Sequence, residues 1–104
     1  MNLFNEMKTA KNRVEYLLQR TPRLRDDDNK LIANYHFNEI GAENVAKLNA
    51  MEFLKLYASG KLTSSESIRR VRAKLQEQKP ELRGEKYNRR QQDGDDFTNN
   101  IGEL

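Results

Sequence analysis

The chain predicts an all-α protein: a small single-domain bundle of about four helices, the third and fourth arranged like a helix-turn-helix, followed by a disordered C-terminal tail. Apolar residues recur at spacings of three and four over much of residues 3–80, and no stretch alternates with the period of a strand. Pro22, Gly41, Gly60 and Pro80 stand where the periodic runs stop. With 104 residues, 36% apolar and 34% charged, the chain suits one small core with part of the sequence outside it. The expected division is a helical domain over residues 1–88 and a basic-to-acidic flexible tail over residues 89–104.

The first predicted helix covers residues 3–20, where Leu3, Met7, Ala10, Val14, Leu17 and Leu18 share a face. Pro22 stops it by pushing Thr21 away from helical angles. In the second, Asp26, Asp27 or Asp28 caps the first turn, Leu31, Ile32, Tyr35, His36 and Ile40 form the apolar arc, and Gly41 ends it. The third runs from about residue 43 to 58. Met51, Phe53, Leu54, Leu56 and Tyr57 cover so much of its circumference that it is expected at the centre of the bundle. The fourth begins at a capping box of Thr63 and Glu66, or with Ser64 as the cap, buries Ile68, Val71 and Leu75, and ends before Pro80. The phrases "LLQRTPRLR" and "KLQEQKPELR" both end in Pro-x-Leu-Arg, which reads as shared helix-stop chemistry rather than a repeat.

Little in the chain suggests catalysis. It has one histidine, His36, on the flank of an apolar face, and no cysteine, so neither a thiolate metal site nor a disulfide is available. Ser64, Ser65 and Ser67 fit helix capping better than nucleophilic roles. Consecutive acids at positions 26–28 diverge in direction and lack the alternation of a calcium loop. The reading is a non-enzyme without cofactor or metal. No apolar run approaches the roughly 18 residues of a membrane span, and the opening residues lack the apolar stretch of a signal peptide. A soluble cytoplasmic protein with no membrane partner is expected.

Charge is uneven. Residues 61–92 hold ten basic and four acidic side chains, whereas residues 93–104 hold four acids and no base. In the fourth helix Arg69, Arg70 and Lys74 fall opposite the apolar stripe, and Arg72 lies just beside it. Arginine forms forked hydrogen bonds to phosphates and guanine edges, so Arg69, Arg70, Arg72 and Lys74, with Arg89 and Arg90 as an arm, are the candidate DNA contacts. Interleaved Glu66, Glu77, Glu81 and Glu85 dilute this charge, and a solvated structural helix has the same pattern. The acidic tail offers a second class of function. Asp93, Asp95, Asp96 and Phe97 are candidate contacts to a protein partner.

Two phrases carry a family likeness. One is "TPRLRDDDNKLIANY", with Pro22, Arg25, Asp28 and Leu31; the other is "LTSSESIRRVRAKLQEQKPELRGEKY", with Ser64, Glu66 to Ile68, Arg70, Arg72, Lys74, Gln76, Glu77 and Pro80 to Arg83. The chain resembles, over most of residues 16–88, a group of small proteins encoded by bacteriophages and prophages. The resemblance implies a phage accessory protein in the host cytoplasm and assigns no catalytic or binding residue. The expected function is therefore a DNA-associated helical module acting in phage transcription or replication. The alternative is an accessory protein that binds and modulates a host or phage protein.

Overall fold

The computed structural model describes residues 3–90. They form α1 (Leu3–Glu6), α2 (Ala10–Arg20), α3 (Asp28–Ile40), α4 (Ala42–Lys47), α5 (Ala50–Ala58) and α6 (Ser65–Gln78), with 3-10 turns at Pro22–Asp26 and Pro80–Leu82. A last helical stretch, α7, covers residues 85–90. No strand occurs among the described residues, so the all-α class holds. The helices are more numerous than the four expected because short capping signals break two of the long periodic runs.

The first break is at Thr9. Its backbone is extended and its hydroxyl accepts the amide of Asn12 at 3.1 Å, which starts α2 afresh. The chain before it turns so that Phe4 is buried and meets Tyr35 of α3 edge-on, ring centroids 5.0 Å apart. Arg13 fastens this corner. Its guanidinium lies 4.9 Å from the Phe4 ring centroid, while Nε donates to the Met7 carbonyl at 2.9 Å. The second break is at Asn49, whose side chain accepts the Glu52 amide at 2.8 Å and donates back to the Glu52 carboxylate at 3.0 Å. Between α3 and α4, Gly41 takes φ 96°, a conformation that a side chain would strain.

The body of the domain is α2, α3 and α6, with α2 packed most extensively on α6. Its core is Phe4, Val14, Leu17, Leu18, Leu24, Leu31, Tyr35, Ile68, Leu75 and Leu82. Leu24 and Leu82 come from the two 3-10 turns, which periodicity does not report. The third predicted helix is where expectation and structure part. No residue of α5 is buried, and Met51 and Leu54 keep 61% and 60% of their surface. The expected central helix is peripheral, since the turns and α1 fill the place assigned to it. The helix-turn-helix expectation is corrected for the same reason: α6 packs chiefly on α2, and α5 is not among its main neighbours.

The connector between α5 and α6 is held by α3 instead. Thr63, expected to cap α6, is fully engaged elsewhere: His36 Nε2 donates to its carbonyl at 2.9 Å, and its amide donates to the Glu39 carboxylate at 3.1 Å. The single hydroxyl proton of Thr63 goes to Glu39 at 2.7 Å, because a carboxylate only accepts; the Tyr35 hydroxyl at 3.2 Å then donates back to Oγ1. Ser64 caps α6, accepting the Ser67 amide at 3.1 Å.

The two Pro-x-Leu-Arg phrases build matching corners. In each, the residue before proline donates its amide to a leucine one turn back, Thr21 to Leu17 and Lys79 to Leu75. In each, the leucine two residues past proline is buried and donates to the residue before proline, at 3.0 Å. In each, the arginine sends Nε back to the carbonyl seven residues earlier, Arg25 to Leu18 and Arg83 to Gln76. The likeness extends beyond a shared stop signal to a shared three-dimensional corner. Lys79 also reaches Glu15 of α2 at 2.5 Å, and that hydrogen bond holds the pKa of its ammonium above the usual 10.5 despite an opposing desolvation effect.

All three acids at positions 26–28 are used, each differently. Asp27 caps α3 by accepting the Lys30 amide at 3.1 Å. Asp28 takes a forked ion pair from Arg72 at 2.9 Å on both oxygens. Asp26 caps α7 from outside, accepting the Lys86 amide at 2.9 Å. Gly84 makes the last contact feasible, since a Cβ there would press into the Asp26 carboxylate. Gly84→Ala is therefore expected to release α7 from the body, costing about 1–2 kcal/mol of local stability, as for other lost caps. Amide exchange of residues 86–90 reports it; unchanged protection there would show that Asp26 finds room.

Candidate nucleic-acid interface

The cations of this protein divide into those the fold consumes and those it leaves outside. Arg72 belongs to the first set. Its side chain is 13% exposed, and besides Asp28 it donates to Gln76 Oε1 at 3.1 Å. Gln76, wholly buried, passes the contact on by donating to the carbonyls of Arg25 at 3.0 Å and Leu82 at 3.2 Å. This chain of bonds ties the α2–α3 corner to the α6–α7 corner. Arg13, Lys79 and Arg83 are similarly committed, the last stacked 4.6 Å from the Tyr87 ring centroid.

Arg69, Arg70 and Lys74 project from the exposed half of α6. They do not form one ridge. On the helical wheel Arg69 lies toward the Arg72 side, whereas Lys74 lines a surface cleft with Lys11 and Gln78 on the side facing α2. Arg70 pairs with Glu66 at 2.8 Å, but both side chains are at least 70% exposed, so the pair stabilises little and is readily exchanged. Arg89 and Arg90 are exposed on α7, next to Lys86. Together with Arg25 they line an open groove of about 580 Å³ above Asp26, Asp27 and Asp28. The basic surface thus has two parts, the back of α6 and the rim formed by α7; Arg25, half-buried and bonded through Nε to the Leu18 carbonyl, lines the groove but is committed to the fold.

Arg25, read from sequence only as part of a motif, and Lys86 are not among the contacts expected from sequence. Sixty-one positions separate them, and only the Asp26 cap brings them together. Asp93, Asp95, Asp96 and Phe97 lie outside the described residues. His36 is buried and occupied by Thr63, in T-shaped contact with Tyr57 at 5.7 Å. The serines of the α6 start bond to one another and to Tyr57: Ser64 Oγ lies 2.7 Å from Ser67 Oγ, and Ser65 Oγ lies 2.7 Å from the Tyr57 hydroxyl. Among the described residues no group of three or more His, Cys, Asp or Glu side chains converges as a metal site would require. No helix there is long and apolar enough to cross a membrane. The groove sets Arg72, Lys86, Arg89 and Arg90 around the carboxylates of Asp26, Asp27 and Asp28, so the fold itself partly neutralises its cations. Comparison with protein-family models, curated proteins and solved structures gives no match to this chain.

Proposed function

We propose that the protein is a small DNA-associated helical module, of the phage accessory kind its motifs resemble, which works in the host cytoplasm in transcription or replication and carries out no catalysis. Arg69, Arg70 and Lys74 on the back of α6 and Arg89 and Arg90 on α7 contact phosphates, with Lys86 on the same rim. Arg72, expected from sequence among the contacts, acts by holding α6 and α3 in place. The observation that carries this reading is the division of labour among the cations. Arg13, Arg72, Lys79 and Arg83 are bonded internally, whereas Arg69, Lys74, Arg89 and Arg90 are exposed on α6 and α7; other exposed cations, among them Lys8, Lys47, Lys55 and Lys61, are scattered over the remaining elements.

The test is a fluorescence-anisotropy titration of random duplex and single-stranded DNA at several salt concentrations. Affinity should fall steeply with salt, and Arg69→Ala/Arg70→Ala should lower the slope of log K against log salt by about 1.8 for duplex, two phosphates at roughly 0.9 each. Binding by this double variant equal to that of the native chain removes α6 from the interface. The absence of DNA binding at low salt favours the second reading, a module that binds and modulates another protein. That reading draws on the exposed apolar residues of α5.

A further inference from the structure

A second groove lies between α6 and α7. Arg72, Ala73 and Glu77 wall it from α6, Tyr87 and Arg90 wall it from α7, and its volume is about 310 Å³. Arg72 and Arg90 also wall the larger groove above Asp26, so the two grooves meet at these residues. Tyr87 is half-buried, and Arg83 holds its ring. The Arg83 guanidinium lies 4.6 Å from the ring centroid and is itself fixed at the end of α6. Its Nε donates to the Gln76 carbonyl at 2.5 Å and its Nη2 to the Glu77 carbonyl at 2.9 Å. Arg83 does not wall the groove, so the groove opens on a part of Tyr87 that Arg83 leaves uncovered. An aromatic ring held in place beside exposed cations is the arrangement on which unpaired bases stack.

We propose that this groove takes one unpaired base of single-stranded DNA, stacked on Tyr87, while Arg90 and its neighbours on α7 hold the adjoining phosphates. The inference rests on the DNA reading above and adds the form of nucleic acid and the residue that selects it. Three features select this guest. The groove lies at the small end of ligand sites, which run to about 300–1,000 Å³, and admits one base but not a duplex. The exposed Glu77 carboxylate accepts hydrogen bonds and repels a phosphate, so its end of the groove suits the N–H edge of a base. Arg90 lies one turn from both Tyr87 and Lys86, so phosphates bound along Lys86, Arg89 and Arg90 run past the ring. Inside a duplex both faces of a base are covered by its neighbours, and this stacking is open only to an unpaired one.

Anisotropy titrations of the full chain with a labelled single-stranded oligonucleotide and with its duplex test this. Tyr87→Leu keeps an apolar side chain against Arg83 and should weaken single-strand binding at least about fivefold. It should leave the duplex affinity and the salt slope unchanged, since no phosphate contact is lost. Tyr87→Phe should bind the single strand as the native chain does. The sequence has no tryptophan, so Tyr87→Trp carries a single indole, whose emission should be quenched by the single strand and not by the duplex. Four results overturn the base site and leave the DNA reading standing: native single-strand affinity in Tyr87→Leu, an equal loss on both forms of DNA, Tyr87→Phe as weak as Tyr87→Leu, or unquenched emission from Tyr87→Trp bound to the single strand. Failure to bind either form at low salt overturns both.

Discussion

Gln76→Leu is expected to lower the unfolding free energy by about 3 kcal/mol, although the new side chain is apolar and similar in size. The loss comes from what Gln76 now satisfies. Its amide donates to two carbonyls, those of Arg25 and Leu82, and its own carbonyl accepts from Arg72. Leucine would leave both carbonyls without a donor where Gln76 is now completely enclosed. Each unsatisfied buried group costs about 1–3 kcal/mol, whereas the added apolar contact returns less than that. Arg72 would also lose the bond that orients it toward Asp28. Urea unfolding followed by circular dichroism measures the change. A loss under about 1 kcal/mol would mean that water reaches the two carbonyls, and the network would then be a convenience rather than a requirement.

Glu39→Ala is the second large effect expected, at about 2–3 kcal/mol. Glu39 is 13% exposed and accepts from the Thr63 amide, the Thr63 hydroxyl and, at 3.5 Å, Arg13. It therefore joins α3 to the α5–α6 connector and to the corner at Phe4. Removing it strands a cation against the rings of Phe4 and Tyr35 and frees the residue that positions the start of α6. Glu39→Gln keeps one acceptor and should recover roughly half of the loss. Amide exchange offers a local readout: residues 63–67 should lose protection in Glu39→Ala well before α2 does. Equal loss throughout the domain would show that the connector has no independent anchoring.

Local chemistry was the legible part of this sequence. Pro22, Gly41 and Pro80 end helices where they should, an acid of the run at 26–28 caps α3, and Ser64, the second choice, caps α6. Most expected core faces are buried, including Val14, Leu17, Leu18, Leu31, Tyr35, Ile68 and Leu75. Three-dimensional assignment was less legible. Thr9-x-x-Asn12 and Asn49-x-x-Glu52 are visible capping signals, but the longer periodic runs around them suggested unbroken helices. Periodicity tells which side of a helix is apolar and is silent about what meets it, so α5 reads as central although its contacts, such as Tyr57 with His36 and Ser65, leave none of its residues buried. The same silence hid Arg72. A wheel places it beside the apolar stripe, but only the approach of Asp28 from another helix turns that position into a part-buried ion pair.

The corner at Pro80 also governs when the protein can fold. The bonds that close the domain link Asp28 to Arg72, Arg25 to Gln76, Glu15 to Lys79 and Asp26 to Lys86, over separations of 44, 51, 64 and 60 residues. A helical protein with such distant partners loses the speed that local contacts give, because the long loops must close before any of these bonds forms. During synthesis the first three helices emerge with Leu17, Leu24 and Leu31 still uncovered, and their cover arrives only with Ile68, Leu75 and Leu82. Until that segment emerges the nascent chain therefore presents an open apolar seam, and the domain closes only when α6 and the turn at Pro80 are available to cover it.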